Sequence, residues 1–184
     1  MKKIILIFFI CLISTFSYAA SEKVYLKCKK IVTENRSTGK FEDWMAKGKF
    51  GQIILTEIII GNKSSKITIS EPFPDFNFRE ESVGKKVTQV VTKRKAQVDG
   101  NSYTGEDMLD DKTKDGSTLS AINRYTFNKN GNTWSVKTRN LFRAKGPKDD
   151  INMNYTAEGN CEVIDKKNYK NIIKNGPTRD DLEL

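Results

Sequence analysis

The chain has no histidine and only three cysteines among its 184 residues. Without an imidazole, serine or cysteine catalysis lacks its usual general base. The same absence removes the commonest nitrogen ligand for zinc, and too few cysteines are left to complete a structural zinc site. The sequence therefore predicts no metal or other cofactor and favours a non-catalytic role.

Long apolar runs are absent except at the N-terminus. Lys2 and Lys3 precede an uncharged stretch, 4–13, and the small residues Ser17 and Ala19 then stand at alternate positions. A short basic head, an apolar stretch of about ten residues and small residues before the cleavage point are typical of a secretory signal peptide. The stretch is shorter than the roughly 20 residues that a membrane-spanning helix needs. We expect residues 1–19 to be removed, leaving a periplasmic or secreted protein that does not span a membrane.

Arginine is scarce in a chain that is basic overall. Lys and Arg total 32 against 23 acidic residues, a formal net charge of +9 that falls to +7 when Lys2 and Lys3 leave with the signal. Only seven of the basic residues are arginine, whose planar fork suits phosphate and nucleic-acid recognition. A lysine excess mainly increases solubility. A nucleic-acid partner is therefore not expected.

Two cysteines remain outside the predicted signal, Cys28 and Cys161. An even count in an oxidising compartment predicts one disulfide between them. Both fall in segments where apolar or small residues alternate with polar ones, 24–29 and 151–163. Such alternation predicts strands with one buried face and places both cysteines on that face. The bridge then joins the first and last strands of a sheet closed on itself.

Regular turn signals separate the other candidate strands. The clearest signal is the Asn-Gly step at Asn130 and Gly131, which is typical of a hairpin. The range 53–60 is apolar on both faces, so it should lie in the middle of the sheet with both faces covered. The candidate strands are 24–29, 41–47, 50–60, 66–70, 87–98, 102–106, 117–127, 133–143 and 151–163.

These segments predict an all-β domain, a single antiparallel meander of about eight strands that is closed or nearly closed into a barrel; a β-sandwich is the alternative. The expected organisation is a signal peptide over 1–19, the β domain over 20–165 and a short helical or flexible tail over 166–184. The inward-facing residues of the predicted hairpin are Leu119, Ala121, Tyr125, Phe127, Trp134, Val136 and Phe142.

Three phenylalanines in a proline-stiffened connection are the first candidate binding residues. They are Phe73, Phe76 and Phe78, within the range 71–79. Because exposed phenylalanine is costly, the connection either folds over one end of the sheet as a plug or forms a surface for an apolar ligand or a partner.

A basic patch is the second candidate. By the alternation of the hairpin strands, Lys137, Arg139 and Arg143 face outward on one strand, and Arg124 faces outward on its neighbour. A basic stripe on a sheet can meet an anionic envelope polymer or an acidic protein. The nearby aromatic residues point inward, so base stacking is not expected. A simple solvated face is the alternative.

Carboxylates are the remaining material for catalysis, since glycosidases work with two acids roughly 5 to 10 Å apart. Glu57 stands within an apolar strand, where it is either a solvent-facing or salt-bridged residue or a buried carboxylate that reads a ligand. The candidate acids are Glu57, Glu106, Asp107, Asp110 and Asp111.

Two short segments of this exported chain are Tyr25-Leu26-Lys27-Cys28 near its start and Gly159-Asn160-Cys161 near its end. They give it an outline that resembles small periplasmic β-barrel proteins, such as the lysozyme inhibitors of the membrane-bound type. The inward cysteines predicted on the first and last strands add to this resemblance, which implies a β-barrel. The inhibitory motif of that family is not recognisable, so the resemblance assigns no functional residues.

The sequence as a whole favours an exported β-barrel that binds or interacts rather than catalyses. Its expected partner is an envelope protein, an apolar small ligand or an anionic envelope polymer. The alternatives are a carboxylate-based envelope hydrolase and a structural envelope component without a ligand.

Overall fold

One antiparallel sheet dominates the computed structural model, which describes residues 21–38, 52–61, 64–71, 88–112, 118–145, 150–176 and 178. Within these ranges the sheet has nine strands, nearly closed into a barrel, and one short helix follows it. The predicted antiparallel barrel is therefore confirmed. The elements are β1 (Glu22–Asn35), β2 (Gln52–Ile60), β3 (Lys66–Glu71), β4 (Thr88–Lys95), β5 (Gln97–Asp99), β6 (Ser102–Lys112), β7 (Thr118–Asn130), β8 (Thr133–Lys145), β9 (Asp150–Val163) and α1 (Lys166–Asn175).

The order of the strands is that of a meander whose two chain ends meet. The spatial order is β4-β3-β2-β1-β9-β8-β7-β6-β5, so the first and last strands lie side by side. β4 pairs with β3, and β5 pairs with β6. Ala96 is the single residue between β4 and β5. The remaining opening lies between β4 and β6. Arg94 and Asp107 form an ion pair of 3.3 Å across it.

The predicted disulfide joins β1 to β9. Cys28 and Cys161 lie directly opposite each other, with their Cα atoms 3.9 Å apart. Nearby, Gly159 pairs with Lys30, and a Cβ at this glycine would lie 1.8 Å from the carbonyl oxygen of Lys29. The two strands approach this closely because Gly159 has no side chain.

Inward-facing side chains fill the barrel. Of the hairpin residues predicted to face inward, Leu119 and Phe142 are half-buried and the other five are buried. Lys30 is also inside, 1% exposed, with its ammonium nitrogen 5.8 Å from the ring centre of Tyr125. The main core cluster comprises Val24, Leu26, Cys28, Ile54, Ile58, Ile67, Ile69, Ala96, Tyr103, Tyr125, Phe127, Trp134 and Val136.

β2 is covered on both faces, as its apolar sequence predicts. Ile54 and Ile58 face the barrel core, whereas Ile53 and Leu55 pack against α1 on the outside. The helix therefore covers an apolar strand that would otherwise face solvent.

A side-chain cap starts α1. The carboxylate of Asp165 accepts hydrogen bonds from the backbone N–H groups of Lys167 and Asn168, at 2.7 and 2.9 Å. Such an N-cap satisfies donors that have no partner within the first helical turn. Tyr169 and Ile172 then face the sheet and are buried. The short helix predicted for the tail is confirmed.

The hairpin between β7 and β8 is tighter than its sequence suggested. Asn130 pairs with Thr133, so the turn contains only Gly131 and Asn132. Gly131 has a φ of 60°, which glycine adopts at little cost and which suits the first position of a two-residue turn. β7 consequently extends beyond its predicted end at 127.

Several sequence predictions lie outside the described residues. These are the signal peptide over 1–19, the candidate strand 41–47, and Phe73, Phe76 and Phe78. Among the residues that are described, no helix is long and apolar enough to cross a membrane.

Candidate binding face

The four cations of the predicted basic patch share the outer face of β7 and β8. Arg124, Lys137, Arg139 and Arg143 are all exposed, as strand alternation requires. Arg124 and Arg139 lie directly opposite each other on the two strands. We call these four residues the basic face.

Neighbouring strands supply carboxylates to two of these cations. Arg124 bonds to Glu106 of β6 through its Nε atom, and Lys137 lies 2.8 Å from Glu158 of β9. The hydrogen bond to Glu158, and then its charge, raise the pKa of Lys137, and the charge of Glu34 raises it further. These cross-strand pairs partly neutralise the face.

The other two cations have no such partner in the described part of the chain. Neither Arg139 nor Arg143 makes an ion pair or a side-chain hydrogen bond with any residue that the structure describes. A guanidinium presents up to five N–H donors in a planar fork, which matches two oxygens of one carboxylate or phosphate. The basic face therefore contains two arginines with unused binding capacity.

Arg139 also lines a shallow depression of about 390 Å³ over β8, β9 and β1. Glu34 and Arg36 form its far wall and are bound to each other, with the Arg36 Nη2 atom 2.6 Å from a Glu34 oxygen. Arg139 is the cation of this depression that keeps no carboxylate among the described residues. The residues that line the depression are Glu34, Arg36, Lys137, Arg139, Asn154, Tyr155 and Thr156.

Strand alternation did not predict that Glu34 and Arg36 face outward, because β1 is irregular. Alternation from Val24 through Lys30 would turn Glu34 inward. The register between β1 and β9 shifts between Val32 and Glu34, and such a bulge reverses the facing of every later residue. The outer face of β9 was predictable, because polar residues alternate with apolar or small ones along this strand. The polar residues stand at positions 152, 154, 156, 158 and 160.

A second depression, of about 440 Å³, lies on the other side of the Lys137–Glu158 pair. Its lining includes Ile31, Ser135 and Asn160. Ile31 is exposed and adds an apolar contact to this depression. The Lys137–Glu158 ion pair thus separates two shallow depressions on the same face.

The candidate catalytic carboxylates are divided between separate parts of the sheet. Glu57 lies on β2, 18% exposed, where it accepts a 3.4 Å hydrogen bond from Tyr25 and lies 4.0 Å from Lys23. Burial, and then the charge of Glu57, raise the pKa of Tyr25. Glu57 is therefore a salt-bridged residue on the outer face, the more ordinary of its two interpretations.

The remaining candidate acids belong to β6. Glu106 bonds to Arg124 and Asp107 to Arg94, while Asp110 is exposed. β6 is not a neighbour of β2 in the sheet. No group of three or more histidine, cysteine, aspartate or glutamate residues within the described ranges is placed to hold a metal ion.

Comparisons of the chain with models of known protein families and with curated protein sequences found no match.

Proposed function

We propose that this protein is an exported, non-catalytic binding protein and that its basic face engages a partner carrying carboxylate or phosphate groups. The observation that supports this most directly is Arg139, a guanidinium beside a depression, without a partner among the described residues. Arg36 and Lys137, the other cations of that depression, each hold a carboxylate.

The surroundings of Arg139 favour an oxyanion as its ligand. Arg124 stands directly opposite on β7, and Lys137 lines the same depression. Neighbouring positive charges raise the local concentration of anions and strengthen an arginine–oxyanion pair. The nearby ion pairs fix the flanking side chains, so less conformational entropy is lost when the ligand binds.

Export is supported by two features. The N-terminal segment has the pattern of a secretory signal, and the disulfide between Cys28 and Cys161 is of a kind that persists in oxidising compartments. A periplasmic or secreted protein with a basic face would meet the anionic polymers and acidic proteins of that space.

Binding of labelled polyglutamate and labelled polyphosphate, measured by fluorescence anisotropy, tests this function and distinguishes carboxylate from phosphate. We expect Arg139→Gln to weaken binding of the preferred probe about tenfold, because one charge-assisted contact is lost. Lys66→Gln is the matched control, since Lys66 is exposed on β3, away from β7 and β8 in the sheet.

The control should change the affinity by no more than about twofold, through the loss of long-range attraction alone. Equal affinities for native protein, Arg139→Gln and Lys66→Gln would show that the basic face is a solvated surface. Raising the salt concentration from about 20 mM to about 150 mM should weaken the specific contact as well as the general attraction.

A further inference from the structure

An apolar row crosses the basic face. Met108 of β6, Ile122 of β7 and Leu141 of β8 lie directly opposite one another in the register of the three strands. Met108 is 66% exposed, and the other two side chains are half-buried. Adjacent strands are about 4.8 Å apart, so the row is a continuous apolar strip on a surface that is otherwise polar and charged.

The two outer strands of this face carry opposite charge patterns around the strip. Within the strip and the row on either side of it, the outward residues are Glu106, Met108 and Asp110 on β6, and Arg139, Leu141 and Arg143 on β8. One strand is thus acid–apolar–acid and the other is base–apolar–base. Because the register places Glu106 in line with Arg139 and Asp110 in line with Arg143, the two patterns are aligned row by row.

We infer that a second copy of this chain docks on the outer face of β6, β7 and β8. This inference rests on the proposed function, and it identifies the acidic partner of the basic face as a second copy of the chain. The two copies face each other across a two-fold axis that runs parallel to β7 between their sheets. Rotation by 180° about this axis places β6 of one copy over β8 of the other, and each row of residues stays opposite the same row. Glu106 then meets the other copy's Arg139, Met108 meets Leu141, and Asp110 meets Arg143.

The pairing satisfies the side chains that the single chain leaves unused. Arg139, Arg143 and Asp110 make no ion pair or side-chain hydrogen bond with the described residues. In the two-fold arrangement each of them acquires an opposite charge, and exposed Met108 acquires an apolar neighbour. Self-complementarity of this kind is what a two-fold interface requires, because each contact occurs twice.

The centre of the face is compatible with this arrangement. Arg124 meets its own counterpart near the axis, but each Arg124 is already bonded to Glu106 of its own chain. A carboxylate accepts several hydrogen bonds, so Glu106 can hold Arg124 and the other copy's Arg139 together. Ile122 packs on its counterpart at the axis itself.

The charge distribution argues against an anionic membrane as the occupant. Glu106 and Asp110 stand on the same face as the arginines and would repel anionic lipid headgroups. A second copy instead pairs both signs.

The size of the face predicts a weak dimer. The three strands have 11 to 13 residues each, which corresponds to roughly 500 Å² per copy at ordinary strand dimensions. A total near 1,000 Å² lies at the lower limit for specific interfaces. Such a dimer should form at about micromolar or higher concentrations and dissociate as salt is raised.

Sedimentation equilibrium of the protein over a range of concentrations tests the inference with two charge-reversal variants. Arg143→Glu and Asp110→Arg each place like charges across the two-fold contact, so each should weaken self-association at least tenfold. A mixture of the two variants restores opposite charges at both contacts and should form a heterodimer about as well as the native protein dimerises. Both sites are exposed, so neither change should disturb the fold.

Lys66→Glu, which reverses a charge on β3, is the matched control and should dimerise like the native protein. A native protein that stays monomeric at millimolar concentration overturns the inference, as does a mixture that fails to associate. If the monomer still binds polyglutamate through Arg139, the proposed function stands and its partner is a different acidic molecule.

Discussion

β1 and β9 can approach each other closely at Gly159 because this residue has no side chain. A Cβ there would lie 1.8 Å from the Lys29 carbonyl oxygen and 2.7 Å from the Cα of Lys30. Both are backbone atoms, so the clash is not relieved by a change of rotamer. We expect Gly159→Ala to lower the free energy of unfolding by about 3 kcal/mol, measured by urea denaturation.

Asn160→Ala is the control for this change, because Asn160 is the next residue and is exposed; its effect should stay within about 0.5 kcal/mol. An unchanged urea midpoint for Gly159→Ala would mean that β1 and β9 are further apart than described.

The residues of the candidate site differ in how far the sequence could predict them. Arg139 and Arg143 follow from strand alternation, because β8 is regular. Glu34 does not, because a bulge cannot be read from the composition of β1. Nor could alternation show that Arg124 is paired while Arg139 has no partner among the described residues, since the pairing of Arg124 depends on Glu106 and therefore on which strand lies beside β7.

At the scale of elements, α1 is held to the sheet by a tyrosine that should make stability sensitive to alkaline pH. Burial is the main cause that raises the pKa of Tyr169 from 10.0 to about 12; the charges of Glu57 and Tyr25 act in the same direction, and a hydrogen bond with Ser70 opposes them. Tyr25 lies against this ring, with the two centres 5.0 Å apart.

The pH dependence follows from the folded state holding this proton more tightly than the unfolded state. Below pH 10 both states are protonated and the stabilisation is complete. As the pH rises from about 10 to about 12, the unfolded state loses the proton first, so the free energy of unfolding falls, by up to about 3 kcal/mol once both states have lost it. Urea denaturation across this range should show a shallower fall for Tyr169→Phe than for the native protein.

Part of the fall should persist in Tyr169→Phe, because the pKa of Tyr25 is also raised. Identical pH profiles for the two proteins would show that Tyr169 is accessible to solvent and that α1 does not cover β2 as described.

The elements themselves were predictable where local signals are strong. The alternation over 151–163 and the amphipathic tail correspond to β9 and α1. The division of 87–98 into β4 and β5 at Ala96 was not predictable, because it arises from barrel closure, where one stretch of chain must pair with β3 and then with β6.

At the scale of the whole molecule, the barrel is closed by contact between the two ends of the folded chain. This could be predicted because both cysteines fall on inward faces of the terminal strands. The remaining opening between β4 and β6 could not be predicted, because the Arg94–Asp107 ion pair across it joins strands that are not paired with each other. Gly105 of β6 contributes there too, because an added Cβ would lie 2.6 Å from the side chain of Ile67.

The disulfide should stabilise this closure strongly, because it spans 133 residues of sequence. Loop-closure entropy alone gives about 5 kcal/mol, and native bridges commonly contribute 2 to 5 kcal/mol. We expect reduction to lower the free energy of unfolding by about 4 kcal/mol while the circular dichroism of the barrel persists, since β1 and β9 remain paired along their length.

The double variant Cys28→Ala, Cys161→Ala should unfold near the urea midpoint of the reduced protein and should not respond to dithiothreitol. If the native protein is equally insensitive to dithiothreitol, with its thiols shown to be reduced, strand pairing alone closes the barrel and the bridge contributes little.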